Sequence, residues 1–314
     1  MKKVLVTGSS GDVGSYLVRY FAQKGFVVRA LDLRQGSYSD DVVAPENRFV
    51  GSVADDALVD EAVAGSDAVV HLAWSFSDKP AEIFDVDIRG HINLLEAALR
   101  RGVKRFIYTS TATVYGRAVR VPVTESHPRL VFEARKPLYA LAKSTAEDLC
   151  TYYHLEAGLE TVIFRFWWAF GETIGGRHLR NMVREALQGK TLVVPAGAGG
   201  TFVTMADLAR AIELALSSER ASGKIYNVGS FYVTWEEIAE MIVEATGSKG
   251  GFRAVPLAEW DGPQFLSDNW ELGWEEAERD LGYRPANSRS ENALALKKAI
   301  AAVADALRSE KGLD

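Results

Sequence analysis

The feature that most restricts the fold of this chain is a glycine-rich turn close to its start. A short apolar run ends before the turn, an amphipathic helical pattern follows it, and the turn itself reads Thr7-Gly8-Ser9-Ser10-Gly11-Asp12-Val13-Gly14. In such a strand–turn–helix unit the first glycine permits a tight turn, the second lets the backbone approach a phosphate, and the third lets the helix pack close to the sheet. The spacing Gly-x-x-Gly-x-x-Gly therefore predicts a dinucleotide pyrophosphate bound at the start of the helix.

Strand-like and helix-like segments alternate through the first half of the chain. The strand-like runs are short and rich in Val, Ile and Phe: Val4–Val6, Val27–Leu33, Arg48–Val50, Ala68–Leu72, Phe106–Thr109 and Thr161–Phe166. The amphipathic stretches between them are Val13–Gln23, Ala57–Ala64, Phe84–Arg100 and Leu138–His154. Alternation of this kind, with nearly continuous apolar strands, predicts an α/β fold with a doubly wound parallel sheet of the Rossmann type.

The alternation becomes less regular after about Phe170. Short strands at Leu192–Val194 and Ile225–Val228 and helices at Met205–Leu216 and Trp235–Ala245 are joined there by loops that contain Gly, Pro and Trp. We expect residues 1–170 to form a dinucleotide-binding domain that also carries the catalytic residues. Residues 171–314 are expected to form mainly a smaller α/β substrate-binding lobe, from which the chain can cross back to the sheet.

Charge and cysteine content limit the location and the partners. The net charge is −6, so no basic surface is available for nucleic acid. The single cysteine, Cys150, cannot form an internal disulfide, and we expect it to be buried in a protein of a reducing compartment. The apolar run after Met1-Lys2-Lys3 is too short for an export signal, and none approaches the roughly 18 apolar residues of a membrane span. We expect a cytoplasmic protein without membrane, nucleic-acid or metal partners.

The second predicted strand ends in a carboxylate that bears on the choice of cofactor. Asp32 at that strand tip is placed to accept hydrogen bonds from a ribose diol and to repel a 2′-phosphate, which favours NAD over NADP, while Arg34 keeps NADP as an alternative. His71 lies inside an apolar strand and is expected to be a core histidine. The residues expected to bind the cofactor are Gly8, Ser10, Gly11, Asp12, Val13, Gly14, Asp32, Leu33, Ser52, Val53, Leu72, Ala73, Trp74, Thr109, Tyr139 and Lys143.

A tyrosine and a lysine four residues apart suggest the catalytic chemistry. Tyr139 and Lys143 lie on one face of a predicted helix. The usual pKa of a tyrosine is about 10, too high for a base at neutral pH. We expect the Lys143 ammonium and the positively charged nicotinamide of NAD to lower it. A third group should come from the hydroxyls of Thr109-Ser110-Thr111, because parallel sheets bind ligands at the carboxyl ends of their strands.

These segments together resemble the extended short-chain dehydrogenase/reductase superfamily, in its NAD-dependent epimerase/dehydratase branch. The matching segments are Thr7–Gly14, Asp32, Val70–Ala73, Gly90, Asn93–Ala97, Thr109–Gly116, Thr124-Glu125, Tyr139, Lys143, Arg165, Phe202-Val203, Asp207–Ala209 and Tyr226–Gly229. The resemblance implies that Thr111 orients the substrate, that Tyr139 is the acid/base and that Lys143 lowers its pKa. It also implies a homodimer formed through Phe84–Arg100 and Leu138–His154.

The chain departs from the family pattern at positions that bear on the reaction. Dehydratases of the family carry an Asp-Glu pair where this chain has Ala112 and Thr113, so elimination of water is not expected. Asp87 stands where an asparagine usually supports the active site.

Two further departures concern the diphosphate of a nucleotide-sugar. Gly200, in the run Ala196–Gly200 that is expected to be flexible, replaces an arginine that grips the diphosphate, and Thr204 replaces a common histidine. No clear equivalent exists for a second arginine near residue 260. Loss of one such contact to the diphosphate lowers the binding free energy by about 1.5–3 kcal/mol, unless another residue, such as Arg177 or Arg180, makes an equivalent contact.

The sequence leaves three functions open. The first is an NAD-dependent oxidoreductase that epimerises a sugar or nucleotide-sugar through a transient keto intermediate. The second is an NAD-dependent dehydrogenase or reductase of a non-nucleotide sugar, a uronate or another small secondary alcohol, and the third, more remote, is a non-catalytic NAD-binding regulator. The expected substrate contacts are Ser75, Thr113, Trp167, Trp168 and Arg177, whereas packing roles are expected for Trp235, Trp260, Trp270 and Trp274.

Overall fold

The computed structural model describes residues 3–311. Its strands are β1 (Lys3–Thr7), β2 (Val27–Asp32), β3 (Arg48–Val50), β4 (Ala68–His71), β5 (Arg105–Thr109), β6 (Thr161–Arg165), β7 (Trp168–Phe170), β8 (Leu192–Pro195), β9 (Gly199–Thr204), β10 (Lys224–Asn227), β11 (Phe231–Thr234) and β12 (Phe252–Val255). Its helices are α1 (Asp12–Gln23), α2 (Asp56–Val63), α3 (Pro80–Glu82), α4 (Arg89–Arg100), α5 (Pro137–Ala157), α6 (Arg177–Leu187), α7 (Met205–Ser217), α8 (Trp235–Thr246), α9 (Gln264–Ser267), α10 (Glu275–Leu281) and α11 (Arg289–Lys311). A π-helical turn, Ile83–Ile88, joins α3 to α4, and short 3-10 turns lie at Pro45–Asn47, Ala112–Tyr115, Val131–Glu133, Glu219–Ala221 and Leu257–Glu259.

The centre of the protein is a parallel sheet of seven strands in the order β10-β6-β5-β4-β1-β2-β3. β1 lies in the middle, where Val4 pairs with Val28 on one side and with Ala68 on the other. The direction of winding reverses between β1 and β4, and the carboxyl ends of strands at such a reversal form a crevice for ligands. The doubly wound α/β fold that the sequence predicts is thus confirmed.

Helices cover both faces of this sheet. On one face α1, α7 and α10 bury apolar side chains such as Leu17, Ile212 and Leu281 against the strands. On the other face α2, α4 and α5 bury side chains such as Val59 and Leu94. Because both faces are covered, the strands are almost wholly apolar, as expected for a parallel sheet.

The chain after β6 builds a smaller lobe and also returns to the sheet. A three-stranded sheet in the order β11-β9-β7 and a parallel pair of β8 with β12 pack with α6, α8 and α11 around a separate apolar core. In contrast, β10 pairs with β6 at the edge of the central sheet, and α7 packs on α1. The division of the chain at residue 170 stays a prediction.

Part of the run 196–200, which was expected to be flexible, belongs to a strand instead. Gly199 and Gly200 are buried at the start of β9, where they pair with Thr234 and Val233 of β11. Glycine has a low strand propensity, which hid this strand in the sequence. It is used here because a side chain at Gly199 would lie 2.2 Å from the carbonyl oxygen of Val233.

Within residues 3–311, no helix combines the length and the apolar character that crossing a bilayer requires.

Candidate active site

The glycine turn between β1 and α1 is packed so closely that two of its positions require glycine. Gly8 has a φ of +68°, and a Cβ there would lie 2.8 Å from the backbone nitrogen of Ala73. A Cβ at Gly14 would lie 2.0 Å from the carbonyl oxygen of Gly8. At Gly11, in contrast, the nearest protein atom would be 3.4 Å away, so packing alone does not require glycine there. The open face at Gly11 is therefore the place where a phosphate can approach the backbone.

Asp32, at the end of β2, closes one side of this turn. Its carboxylate accepts hydrogen bonds from the backbone N–H of Ser10 at 2.9 Å and from that of Arg34 at 3.2 Å. These two bonds fix the orientation of the carboxylate, and each oxygen keeps a lone pair that can accept a ribose hydroxyl. The arrangement fits the diol of NAD.

A cavity of about 300 Å³ runs from the glycine turn to the end of β4. Its lining includes ten of the expected cofactor residues and substrate contacts, namely Gly8, Gly11, Asp32, Leu33, Ser52, Val53, Leu72, Ala73, Trp74 and Ser75. The other expected cofactor residues are not part of this lining: Ser10, Asp12, Val13, Gly14, Thr109, Tyr139 and Lys143. Asp12 lines a different cleft, of about 500 Å³, beside α1. The cavity, the bare backbone at Gly11 and the oriented Asp32 together fit a dinucleotide.

His71 is a core histidine, as expected. It is 1% exposed, and its Nδ1 atom lies 2.7 Å from the hydroxyl oxygen of Thr7. Burial, followed by the nearby positive charges of His91 and Lys143, holds the pKa of His71 well below its usual value. It is therefore neutral at physiological pH and joins the ends of β1 and β4.

Tyr139, on the first turn of α5, lies in an aromatic environment beside the cofactor cavity. The ring of Trp74 meets the Tyr139 ring edge-on at 6.1 Å, and the ring of Phe76 stacks on it at 6.0 Å. Burial raises the pKa of Tyr139, a hydrogen bond with the Thr111 hydroxyl lowers it, and the charge of Asp87 raises it. The expected lowering of this pKa by Lys143 and NAD stays a prediction, and the net shift from the protein's own groups is upward. The physical reason is that the phenol has lost most of its contact with water.

Lys143 lies one turn further along α5. Its ammonium donates a hydrogen bond to the carbonyl oxygen of Thr109 at 3.0 Å and lies 4.0 Å from the centre of the Trp74 ring. Burial lowers the pKa of Lys143 to about 7, and the charges of Asp87 and Glu147 oppose that shift. The side chain therefore titrates close to physiological pH.

Asp87 is a carboxylate whose negative charge raises the pKa of both Lys143 and Tyr139. It lies in the π-helical turn, is 1% exposed, and accepts hydrogen bonds at 2.7 Å from both the backbone N–H and the hydroxyl of Ser75. Burial raises the pKa of Asp87, while the bonds from Ser75 and the charge of Lys143 lower it. Ser75, expected to contact substrate, is thus engaged with Asp87.

Phe76 is not among the residues that were expected at the site. It is 70% exposed, adopts a φ of +54° and covers the ring of Tyr139. A positive φ is unusual for an aromatic residue and is often found where a side chain is held for function.

The hydroxyls after β5 connect the tyrosine to a second cavity. Thr111 caps the turn Ala112–Tyr115, and its hydroxyl oxygen lies 2.9 Å from that of Thr113. Thr113 lines a cavity of about 170 Å³ whose other lining residues are Gly116, Arg135, Trp167, Trp168, Phe265 and Trp270. The two expected tryptophans are here, whereas Arg135 and Phe265 were missed because only tertiary packing brings them to the cavity.

Trp270 has a larger part in this cavity than the packing role expected for it. Its ring stacks on that of Trp167, with the centres 6.2 Å apart, and both rings line the cavity. Trp167 also lies against Gly200, where a Cβ would be 1.8 Å from the indole. A side chain at position 200 is therefore excluded. The Trp167 indole occupies the space that an arginine at position 200 would need.

The two arginines considered as replacements have different surroundings. Arg177 begins α6 with an exposed side chain. Arg180, one turn later, is ion-paired with Glu310 at 3.1 Å. Of these two, Arg177 is the one whose guanidinium is free of a carboxylate partner among residues 3–310.

The comparisons with known proteins agree with one another. The sequence profile described as "NAD dependent epimerase/dehydratase family" matches residues 4–229. A UDP-N-acetyl-alpha-D-glucosaminuronate decarboxylase of Bacillus cytotoxicus is 30% identical over 273 residues, which cover 82% of this chain and 84% of that protein. An N-acetyl-alpha-D-glucosaminyl-diphospho-ditrans,octacis-undecaprenol 4-epimerase of Escherichia coli is 32% identical over 71% of this chain and 66% of that protein. Among solved structures, a short-chain dehydrogenase/reductase superfamily protein of Agrobacterium tumefaciens with bound NAD has a TM-score of 0.79 and 26% identity, covering 98% of this chain and 99% of that one.

Proposed function

Because this chain belongs to the NAD-dependent epimerase/dehydratase family, and is therefore an enzyme that uses NAD, we propose that it oxidises a secondary alcohol of a sugar to a ketone and returns it as the epimer. The names of the relatives favour a nucleotide-sugar as the substrate. Family membership gives no support to the remote alternative of a non-catalytic regulator.

The proposal rests mainly on the cluster formed by Thr111, Tyr139 and Lys143. The Thr111 hydroxyl is close enough to the phenol of Tyr139 to lower its pKa, and Lys143, four residues further along α5, donates a hydrogen bond to the carbonyl oxygen of Thr109 at the end of β5. The substrate cavity begins at Thr113, whose hydroxyl is bonded to that of Thr111. A sugar hydroxyl in reach of Tyr139 and Thr111 would thus stand between the two cavities.

In the proposed reaction the protein's own side chains accept the proton of the substrate and later return it. Tyr139 takes the proton of the substrate hydroxyl, and Thr111 holds the same oxygen in place by a hydrogen bond. For this step Tyr139 starts as the phenolate, which the Lys143 ammonium would stabilise against the effect of burial on the Tyr139 pKa, and it becomes the neutral phenol when it takes the proton. When bound, NAD supplies the hydride acceptor and donor, and its positively charged ring favours the phenolate. Tyr139 gives the proton back once the substrate has presented its other face.

The experiment that tests this function uses the purified protein with NAD and, in separate reactions, UDP-glucose and UDP-galactose. We expect each sugar nucleotide to be converted into the other without accumulation of NADH, followed by chromatography and by absorbance. Net formation of NADH in step with product would instead identify a dehydrogenase. No conversion of either sugar nucleotide would remove them as substrates.

A second candidate function is oxidation of a non-nucleotide sugar or uronate. It is favoured by the small aromatic cavity of about 170 Å³ and by the indole of Trp167 that covers Gly200. The same assay with glucuronate and galacturonate tests it, with NADH formation as the expected signal.

We further propose that the protein is a homodimer and that it is cytoplasmic. Four large apolar side chains are exposed on the turn before α4, on α4 and on α5: Phe84, Leu99, Tyr152 and Leu155. Such a group of exposed side chains is suited to cover the same surface of a second copy. Cys150 is buried and free, which suits the reducing environment of the cytoplasm.

A further inference from the structure

Two positively charged side chains stand together at the edge of the aromatic cavity. Arg135 lines the cavity, and its guanidinium lies 4.3 Å from the centre of the Phe265 ring. Partial burial, followed by the charge of Arg177, lowers the pKa of Arg135. Arg177 follows Gly176, where a Cβ would lie 2.6 Å from the Trp168 indole, and precedes His178, whose ring meets the Phe265 ring edge-on at 5.4 Å. Both neighbours of Arg177 thus pack against lining residues of the cavity, which places Arg177 beside it and near Arg135.

Neither arginine has a carboxylate partner among residues 3–310. Asp78 is the acid that the charge of Arg177 reaches, but its pKa is lowered chiefly by Lys136, which is bonded to it at 2.8 Å. Another cation, Arg117, follows the lining residue Gly116, but it lies 3.6 Å from Asp268 and 3.9 Å from Glu133 and is already paired. Unpaired like charges that lie near each other produce a positive potential that attracts an anion.

Most of the other lining residues are aromatic. Trp167 and Trp270 form a stacked pair, and Trp167 excludes any side chain from position 200. A ligand in this cavity thus meets aromatic rings together with the guanidinium of Arg135. Aromatic rings pack against the apolar faces of sugars, and guanidinium groups bind carboxylate and phosphate oxygens through paired hydrogen bonds.

We propose that Arg135 and Arg177 form an anion-binding subsite that holds a carboxylate or phosphate group of the substrate while the sugar packs on Trp167 and Trp168. This inference rests on the proposed function, since it assumes that the sugar to be oxidised lies between this cavity and Tyr139. It assigns the anchoring of the substrate's charge to Arg135, two residues before α5 begins, and to Arg177, the first residue of α6.

Calorimetric titration of the NAD-loaded protein tests the subsite and distinguishes two sources of the anion. The probes are UDP for a diphosphate, glucuronate and galacturonate for a carboxylate, and glucose as the neutral control. We expect one class of anion to bind, with an affinity that falls as salt is raised. Anions that bind no more tightly than glucose would overturn the proposal.

Arginine variants show whether the two side chains are responsible. We expect Arg135→Gln and Arg177→Gln each to weaken binding of the anion by about 10- to 100-fold, because each removes charge-assisted hydrogen bonds. Arg184→Gln is the matched control, because Arg184 lies on α6 and donates to Asn181 at 2.8 Å. Unchanged anion binding in both test variants would overturn the subsite.

One further variant separates this inference from the proposed function. Tyr139→Phe should abolish turnover and leave anion binding intact. If anion binding depends on Arg135 and Arg177 while no tested sugar is oxidised, the proposed reaction fails and the subsite stands. If sugars are oxidised with the same KM in Arg135→Gln, Arg177→Gln and the unsubstituted protein, the reaction stands and the subsite fails.

Discussion

The carboxylate of Glu147 binds the guanidinium of Arg165 through both of its oxygens, at 2.9 and 2.5 Å. Both side chains are at most 2% exposed. Glu147 lies on α5 one turn beyond Lys143, and Arg165 ends β6, so the pair joins the helix that carries Tyr139 and Lys143 to the central sheet. Glu147 also accepts a hydrogen bond from the Ser110 hydroxyl at 2.5 Å, which brings the end of β5 into the same network.

Removal of the charge of Glu147 should destabilise the protein strongly. Glu147→Gln leaves the buried Arg165 cation without a full counter-charge, a change that costs about 3–5 kcal/mol when a buried pair is broken. Urea unfolding measures the loss of free energy. The control is Glu82→Gln, which breaks an exposed pair with Lys79 and should cost less than about 1 kcal/mol. Equal effects of the two substitutions would show that the buried pair does not hold α5 to the sheet.

Asp87 should set the pH range in which Lys143 carries its proton. The negative charge of Asp87 raises the pKa of Lys143 and so opposes the effect of burial, which brings that pKa to about 7. In Asp87→Asn the pKa of Lys143 should fall further, and the ammonium should be lost at a lower pH. We expect the alkaline limb of kcat/KM to move down by about one pH unit.

The control for this profile is Asp85→Asn. Asp85 is exposed and ion-paired with Arg89 at 3.0 Å, two residues before Asp87. Its profile should match that of the unsubstituted protein. A profile for Asp87→Asn that does not move would mean that Asp87 has no influence on the protonation that catalysis requires.

Two glycines of the turn should respond differently to a methyl group. Gly14→Ala places a Cβ against the Gly8 carbonyl, so it should lower both stability, by about 1–3 kcal/mol, and NAD affinity. Gly11→Ala meets no protein atom closer than 3.4 Å, and because Gly11 is the N-cap of α1 it should lower stability by no more than about 1 kcal/mol while still weakening NAD binding. Thermal unfolding and NAD titration measure the two effects. Undiminished NAD affinity in Gly11→Ala would contradict a pyrophosphate at this position.

The proposed dimer depends on exposed apolar side chains of α5. Tyr152 and Leu155 are 58% and 72% exposed and lie three residues apart on the helix. We expect the double variant Tyr152→Glu, Leu155→Glu to be a monomer by light scattering, because buried charges oppose association. Leu294→Glu, which changes a similarly exposed leucine on α11, should remain a dimer. A monomeric unsubstituted protein would remove the proposal.

Local patterns were sufficient to predict the parallel sheet and the surroundings of the cofactor. The glycine turn and Asp32 depend on residues that follow one another at the ends of neighbouring strands, and Tyr139 and Lys143 depend on the spacing of one helix. These relationships are set by short-range geometry and can be found in a single sequence.

Features that depend on tertiary packing could not be found in this way. Gly199 and Gly200 looked flexible because glycine hides a strand whose close neighbours, Val233 and Trp167, are far away in the sequence. Arg135 and Phe265 meet only when the chain before α5 and helix α9 come together. The upward effect of burial on the Tyr139 pKa could not be found either, because desolvation depends on how completely Trp74 and Phe76 cover the ring.

The central claim is that Tyr139 moves the proton during sugar oxidation. Turnover of Tyr139→Phe should be measured with NAD and the probe that the unsubstituted protein converts, together with NAD binding by titration. The loss of an acid/base group predicts turnover lower by about 10²–10⁴-fold with NAD affinity unchanged. Tyr232→Phe, in the smaller lobe, is the control and should keep full activity. Turnover of Tyr139→Phe equal to that of the control would contradict the account.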